Sequence, residues 1–163
     1  MSRAFVNEDN AAAQADQPVE RQVSAQPNYV TLSGFVQLQA RVAELQALHG
    51  QQAARGELAD KQRIADIERD LRYFNQRLQS AQVITPTSVD QVRIGHWVSF
   101  VDEHNHEQRV QLVGEDQADA ANGLINWGSP LGGALLGARV GDEVIWERPV
   151  GNLAIEVVAI DLG

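Results

Sequence analysis

His104 and His106 flank Asn105 in the stretch DEHNHEQ. On a strand, residues i and i+2 share a face, so two imidazoles there can turn together toward a metal, with Glu103 or Glu107 beside them. A hairpin turn built of polar residues explains the same stretch and is the reading adopted. His49 and His96 fall at a helical seam position and beside a strand, where packing or capping is expected. The chain contains no Cys, which removes disulfides, thiolate metal sites and thiol nucleophiles. It has no G-x-S-x-G, phosphate-loop or dinucleotide fingerprint. The glycine-rich GSPLGGALLG lacks the Lys of a phosphate cradle, and its glycines are expected to let a helix pack closely on a sheet. Trp97, Trp127 and Trp146 lie in strand-like runs and are expected to pack rather than stack on bases. No catalytic residue, metal site or cofactor is predicted.

Two acids, Glu57 and Asp60, stand three apart within QQAARGELADKQ, residues 51 to 62, just after the helix breaker Gly56. The elements around them give them a place. Phe35, Leu38, Val42, Leu45 and His49 follow 3-4-3-4 spacing, as do Ile64, Ile67, Leu71, Phe74 and Leu78. Phe35 with Phe74, Leu38 with Leu71, Val42 with Ile67, and Leu45 with Ile64 share one constant residue sum of 109. That is the pattern of an antiparallel hairpin turning near Ala54 and Arg55. Gly56 is then the residue that lets the chain leave the first helix, and the acids open the second, where they complement its positive end.

Residues 1 to 28 are polar and aperiodic and read as a mobile tail. The hairpin is expected over 29 to 82, followed by a third region over 83 to 163. There SAQVITPTSVD breaks the helical period, and short strand-like runs follow at 96–101, 108–114, 124–127, 143–147 and 153–160. Ser129 and Pro130 mark the start of a short helix. The expected class is α+β: an N-terminal helical hairpin, then a small antiparallel β domain with one short helix.

Net charge is −9, divided as −2 over residues 1–30, +1 over 31–82 and −8 over 83–163. An acidic C-terminal region is a poor match for duplex DNA, so sequence-specific DNA binding is not expected, and the helical segment is the better surface for any nucleic acid. Neither a membrane span nor a basic-then-apolar leader is present, so the expectation is a cytoplasmic protein without membrane attachment.

In this order of elements the chain resembles the Gre transcription elongation factors over about residues 31 to 163. The resemblance rests on SAQVI (80–84), VGEDQADAANGLINWGSPLGGALLG (113–137), VGDEV (140–144) and the closing strand. The run SPLGGALLGARVGDEVIWERPVG is also similar to Rnk-type regulators, which have a much reduced helical arm.

That resemblance implies an FKBP-like C-terminal domain docking on RNA polymerase at the rim of the secondary channel, with the hairpin entering the channel. Acids at the tip, in a G-D-L-K-E-N pattern, help such factors hold the polymerase's catalytic magnesium. Here GELADK keeps Gly56 and Leu58, sets Glu57 and Asp60 at the acidic positions with their lengths exchanged, and puts Lys61 in place of Asn. The arm is expected to be about ten residues shorter per helix, or about 15 Å. A polymerase-binding elongation regulator with weak or absent transcript-cleavage stimulation is therefore expected, acting as a monomer and not itself an enzyme. Ser129, Pro130 and Leu131 are the implied docking residues. Arg63, Arg69, Arg72 and Arg77 can face channel acids or nascent RNA, or can be a solvated helical exterior. The alternatives are a Rnk-like regulator of nucleotide metabolism acting on polymerase, a coiled-coil adaptor for another protein, and, least favoured, a prolyl isomerase.

Overall fold

The computed structural model describes residues 19–163. The expected tail lies, over residues 1–18, outside the described residues. The described chain divides into two units, residues 19–24 with Gln39–Gln79, and Ala25–Leu38 with Ser80–Gly163.

Two long helices run through the hairpin, α1 over Leu32–Ala53 and α2 over Lys61–Ser80. Thr31 caps α1, its Oγ1 accepting from the Gly34 N–H at 3.0 Å. Along the seam Val42 and Leu45 of α1 and Ile67 of α2 are buried, as the heptad spacing demands. The turn is longer than the spacing implied. After α1 ends at Ala53, Gly56 adopts φ +58° and a 3-10 turn covers Gly56–Leu58 before α2 begins at Lys61. The connection 54–60 is centred on Glu57, not on Ala54 and Arg55, and the helix register moves with it. His49 lies 3.2 Å from Glu68, where the expected register set it opposite Asp60. Arg41 sits 5.6 Å over the Phe74 ring, where it was to face Glu68. Heptad spacing fixes which faces meet but is blind to how many residues a turn consumes, so Val42 opposite Ile67 does not follow.

The second unit holds a five-stranded sheet. Its strands are β3 (Trp97–Val101), β4 (Glu107–Val113), β5 (Leu124–Asn126), β6 (Glu143–Trp146) and β7 (Leu153–Asp161), in the order β5-β4-β3-β7-β6. The sheet is mixed rather than antiparallel, because β5 pairs parallel with β4. Ten residues separate these strands, too many for a tight hairpin, and Gly123 at φ +74° turns the chain back to run alongside β4. A second parallel pair, β1 (Tyr29–Val30) with β2 (Gln82–Val83), joins the two feet of the hairpin, where the sequence showed only the ends of the hairpin and a break in the helical period. The Ile84 N–H donates to the Val30 carbonyl at 2.8 Å there.

Val98, Phe100, Leu112, Ile155 and Val157 alternate inward from the strands and meet Leu131 and Leu135 of α3 (Pro130–Leu135) in one core. The segment leading into β3 is pinned by His96, which is fully buried. Its Nδ1 accepts from the Arg93 N–H at 2.8 Å, and its Nε2 lies 2.7 Å from the Ser88 carbonyl. Because Nδ1 must accept, Nε2 carries the proton and donates. This histidine holds a loop. No helix among the described residues is long and apolar enough to cross a membrane.

Candidate binding surfaces on the arm and on the sheet unit

At the tip, the two acids have different tasks. Asp60 is the cap of α2, its Oδ1 accepting from the Arg63 N–H at 3.1 Å. Its own N–H donates to Oε1 of Gln52 at 3.2 Å. Gln52 is buried and so ties the end of α1 to the start of α2, a clamp that no spacing rule could have signalled. Glu57 sits in the separate 3-10 turn and is exposed. The expectation that both acids open the second helix holds for Asp60 alone. Among the described residues, no group of three or more His, Asp or Glu side chains is placed to hold a metal. Two carboxylates, one already accepting from a backbone N–H, therefore amount to at most a partial ligand set that another molecule would have to complete.

The four arginines separate by burial. Arg77 is 2% exposed, so it cannot offer its guanidinium to an incoming strand, and its place in a surface contact set is withdrawn. Arg69 is half-buried and paired with Asp70 at 3.2 Å and Asp66 at 3.9 Å. Arg72 is exposed, but Glu20 takes its guanidinium, with Nε 2.9 Å from Oε1 and Nη2 also on that oxygen. That bidentate contact lowers the Glu20 carboxyl below its usual range and raises Arg72. Arg63 remains exposed at the tip.

On the sheet unit, Ser129 caps α3. Its Oγ accepts from the Gly132 N–H at 3.1 Å and donates to the Asn126 carbonyl at 2.7 Å, while Pro130 takes the first helical position. Gly132 has no alternative: a Cβ there would press on the Asn126 carbonyl and stand 2.7 Å from that of Trp127. The motif SPLGG is thus first a way of laying a short helix against β5. Pro130 is exposed, but Leu131 is 6% exposed and lies in the core. Leu131 supports the surface from beneath, and a charge placed there would unfold the unit. Pro130 borders an apolar groove of about 390 Å³ that Ser129 and Leu131 also line, facing Ile125 and the 146–150 segment from Trp146 to Val150. Trp146 is set edge-on to Phe100 at 6.3 Å, and Arg148 stands 5.4 Å over its ring. The wall contributed by 146–150 was not among the sequence candidates, since β6 reads only as a strand.

His104 and His106 form the hairpin turn that the polar reading anticipated. Asp102 Oδ1 accepts from both of their N–H groups, at 2.8 and 3.0 Å, and Asn105 takes φ +59°. Trp97 and Trp127 pack as expected, against Arg109 at 4.5 Å and Tyr29 at 5.3 Å.

Comparison with known proteins supplies the class. The family described as "Transcription elongation factor, GreA/GreB, C-term" matches residues 86–162, which takes in β3 through β7 and the capped helix α3. The transcription elongation factor GreB of Neisseria meningitidis serogroup B is 32% identical over 152 residues, covering 82% of this chain and 93% of that protein. The transcription elongation factor GreA of Sphingopyxis alaskensis is 33% identical over 144 residues, covering 78% and 91%. These are transcription elongation factors, and their matches span the arm as well as the sheet unit. The chain belongs to the GreA/GreB family. Among solved structures, Thermus aquaticus Gfh1 aligns with a TM-score of 0.42 at 25% identity, over 84% of this chain and 99% of that one.

Proposed function

We propose that this GreA/GreB-type factor binds RNA polymerase at its secondary channel through the Pro130 groove, places its helical arm in the channel entrance, and stimulates transcript cleavage weakly or not at all. The polymerase supplies the active site and its magnesium; the factor supplies position and at most one acid. The observation that carries this reading is the division of labour at the tip, where Asp60 is engaged with the Arg63 N–H and only Glu57 is left outside the helix cap. Length points the same way, since the 22 residues of α1 span about 33 Å, which leaves less reach than the longer arm the resemblance describes. Exposed Arg63 can face channel acids or extruded RNA. The factor is proposed to act as a monomer, in the compartment where transcription takes place, and without reading DNA sequence.

The test is a backtracked elongation complex challenged with the protein, with binding and RNA cleavage scored separately. Binding without strong cleavage is expected. Failure to bind core polymerase, or retention of a different protein by a tagged bait, would replace this reading with that of an adaptor.

A further inference from the structure

Asn122 precedes Gly123, and at no other place in the chain does Gly follow Asn. Such a pair has a reactivity of its own. With no side chain on the glycine, its backbone nitrogen can close a five-membered ring onto the asparagine amide. Asn122 is exposed and ends the 3-10 turn Ala120–Asn122, and Gly123 follows at φ +74°. Two hydrogen bonds hold the reacting groups. Asn122 Nδ2 donates to Asp119 Oδ2 at 2.6 Å, and the Gly123 N–H donates to the Ala120 carbonyl at 3.1 Å. The helical ψ of a 3-10 turn also turns the Gly123 nitrogen away from Cγ, whereas the ring needs it near the plane of Cα, Cβ and Cγ. The folded turn therefore keeps the reactants adjacent and out of line, and a local opening of residues 119–123 brings them together.

We propose that Asn122 is a deamidation site gated by the opening of this turn, and that its isoaspartyl product breaks the join between β5 and β4. The Gly123 nitrogen gives its proton to hydroxide and bonds to Asn122 Cγ; the Cγ–Nδ2 bond breaks, and Nδ2 leaves as ammonia with protons from water. Water then opens the ring. Cleavage between the nitrogen and Cγ gives aspartate in the original chain, and cleavage between the nitrogen and the main-chain carbonyl carbon gives isoaspartate. One water enters, one ammonia leaves, and nothing is oxidised or reduced. Isoaspartate routes the main chain through Cβ and Cγ, which lengthens it by one atom. The structure has no slack for that atom: a Cβ on Gly123 would stand 3.2 Å from the Arg109 carbonyl, so the chain already runs close along β4. The Gly123 carbonyl accepts from the Gln111 N–H at 2.8 Å, where Gln111 meets Leu124 at the start of the β4–β5 pairing. That bond is the first to go. Ile125, one residue further along β5, lines the Pro130 groove, so the lengthened chain loosens one of its walls.

Peptide mass mapping of the full-length protein, held in warm, mildly alkaline buffer with and without urea, reads the reaction. Conversion is expected at Asn122 ahead of every other described asparagine, and about tenfold slower in the folded protein than in urea, the effect of two hydrogen bonds of ordinary net strength. Absence of conversion at Asn122 in the folded protein, over a period long enough for the urea sample to convert completely, overturns the site. Equal rates with and without urea overturn the gate. Asp119→Ala should speed the folded reaction about threefold, while Asp119→Asn, which keeps an accepting oxygen, should stay close to the wild type; a wild-type rate in Asp119→Ala overturns the part given to that carboxylate. Amide exchange reads the product. In the chromatographically separated isoaspartyl form the Gln111 N–H should exchange about tenfold faster than in Asn122→Asp, which carries the same new charge on a backbone of normal length. Equal exchange in the two overturns the break between β5 and β4.

Discussion

Replacing the tip acids one at a time separates a helix cap from a catalytic acid. Asp60→Ala removes the oxygen that accepts from the Arg63 N–H at 3.1 Å, leaving that donor to water in the first turn of α2, while the Asp60 N–H keeps its bond to Gln52. Loss of such a cap costs about 1 kcal/mol. For a chain of this size that corresponds to roughly 2–4 °C in melting temperature. Faster amide exchange should be confined to the first turn of α2. Glu57→Ala touches no capping bond and should change stability by less than about 0.5 kcal/mol. Asp60→Asn is the deciding variant, because it keeps an accepting oxygen and loses the charge. Thermal melts, amide exchange and cleavage of backtracked RNA would be measured on all three. If Asp60→Asn melts like the wild type but abolishes a robust cleavage activity, the carboxylate acts on the polymerase's metal and the division of labour argued from the tip is wrong.

Three further outcomes follow from the sheet unit. Gly132→Ala drives a Cβ against two backbone carbonyls and should cost about 1–3 kcal/mol by overpacking, read as a lowered melting temperature. Pro130→Glu should leave the melt unchanged within about 0.5 kcal/mol while weakening polymerase binding in pull-down; Leu131→Asp should unfold the unit, and a well-folded Leu131→Asp protein would contradict its place in the core. Asp102 titrates below the usual carboxylate range, chiefly through the His106 N–H and then that of His104. Its folded value lies under its unfolded one, so its contribution is complete above the ordinary carboxylate range and is lost as pH falls through the folded value. In acid the His104–His106 turn should loosen, and Asp102→Asn should abolish that acid-side dependence in amide exchange of the turn.

Much of the architecture was legible because it depends on period and punctuation. Two heptad runs separated by Gly56 gave the hairpin, and five β-branched runs between turn residues gave all five strands of the sheet. The errors share a cause. The turn centre, the parallel β4–β5 pairing and the β1–β2 pair each depend on how a connection is routed, and a connection carries no period. Two residues of strand, as at Tyr29–Val30, are too short to show any alternation at all. Burial off the seam was equally hidden: Tyr73 and Arg77 read as exterior positions on a two-stranded coil, and nothing in their spacing marks them as buried.

The functional motifs were legible as motifs but not as contacts, and the distinction is physical. Ser129 spends its hydroxyl on α3, Leu131 its side chain on the core, Asp60 an oxygen on α2 and Gln52 its carbonyl on the turn. Each lies within or beside a stretch that carries the family resemblance, and each is explained by local folding without any partner. What remains at the surface is a smaller set: Pro130 with the groove wall of Trp146, Pro149 and Val150, Glu57 on the tip, and Arg63 beside it. A motif match thus transfers a backbone path more securely than an interface, because the same residues build the path whether or not polymerase is bound. Loss of binding on substituting Ser129 or Leu131 would be ambiguous between a lost contact and a lost fold. Loss on substituting Pro130 or Val150, with the melt unchanged, would locate the contact itself.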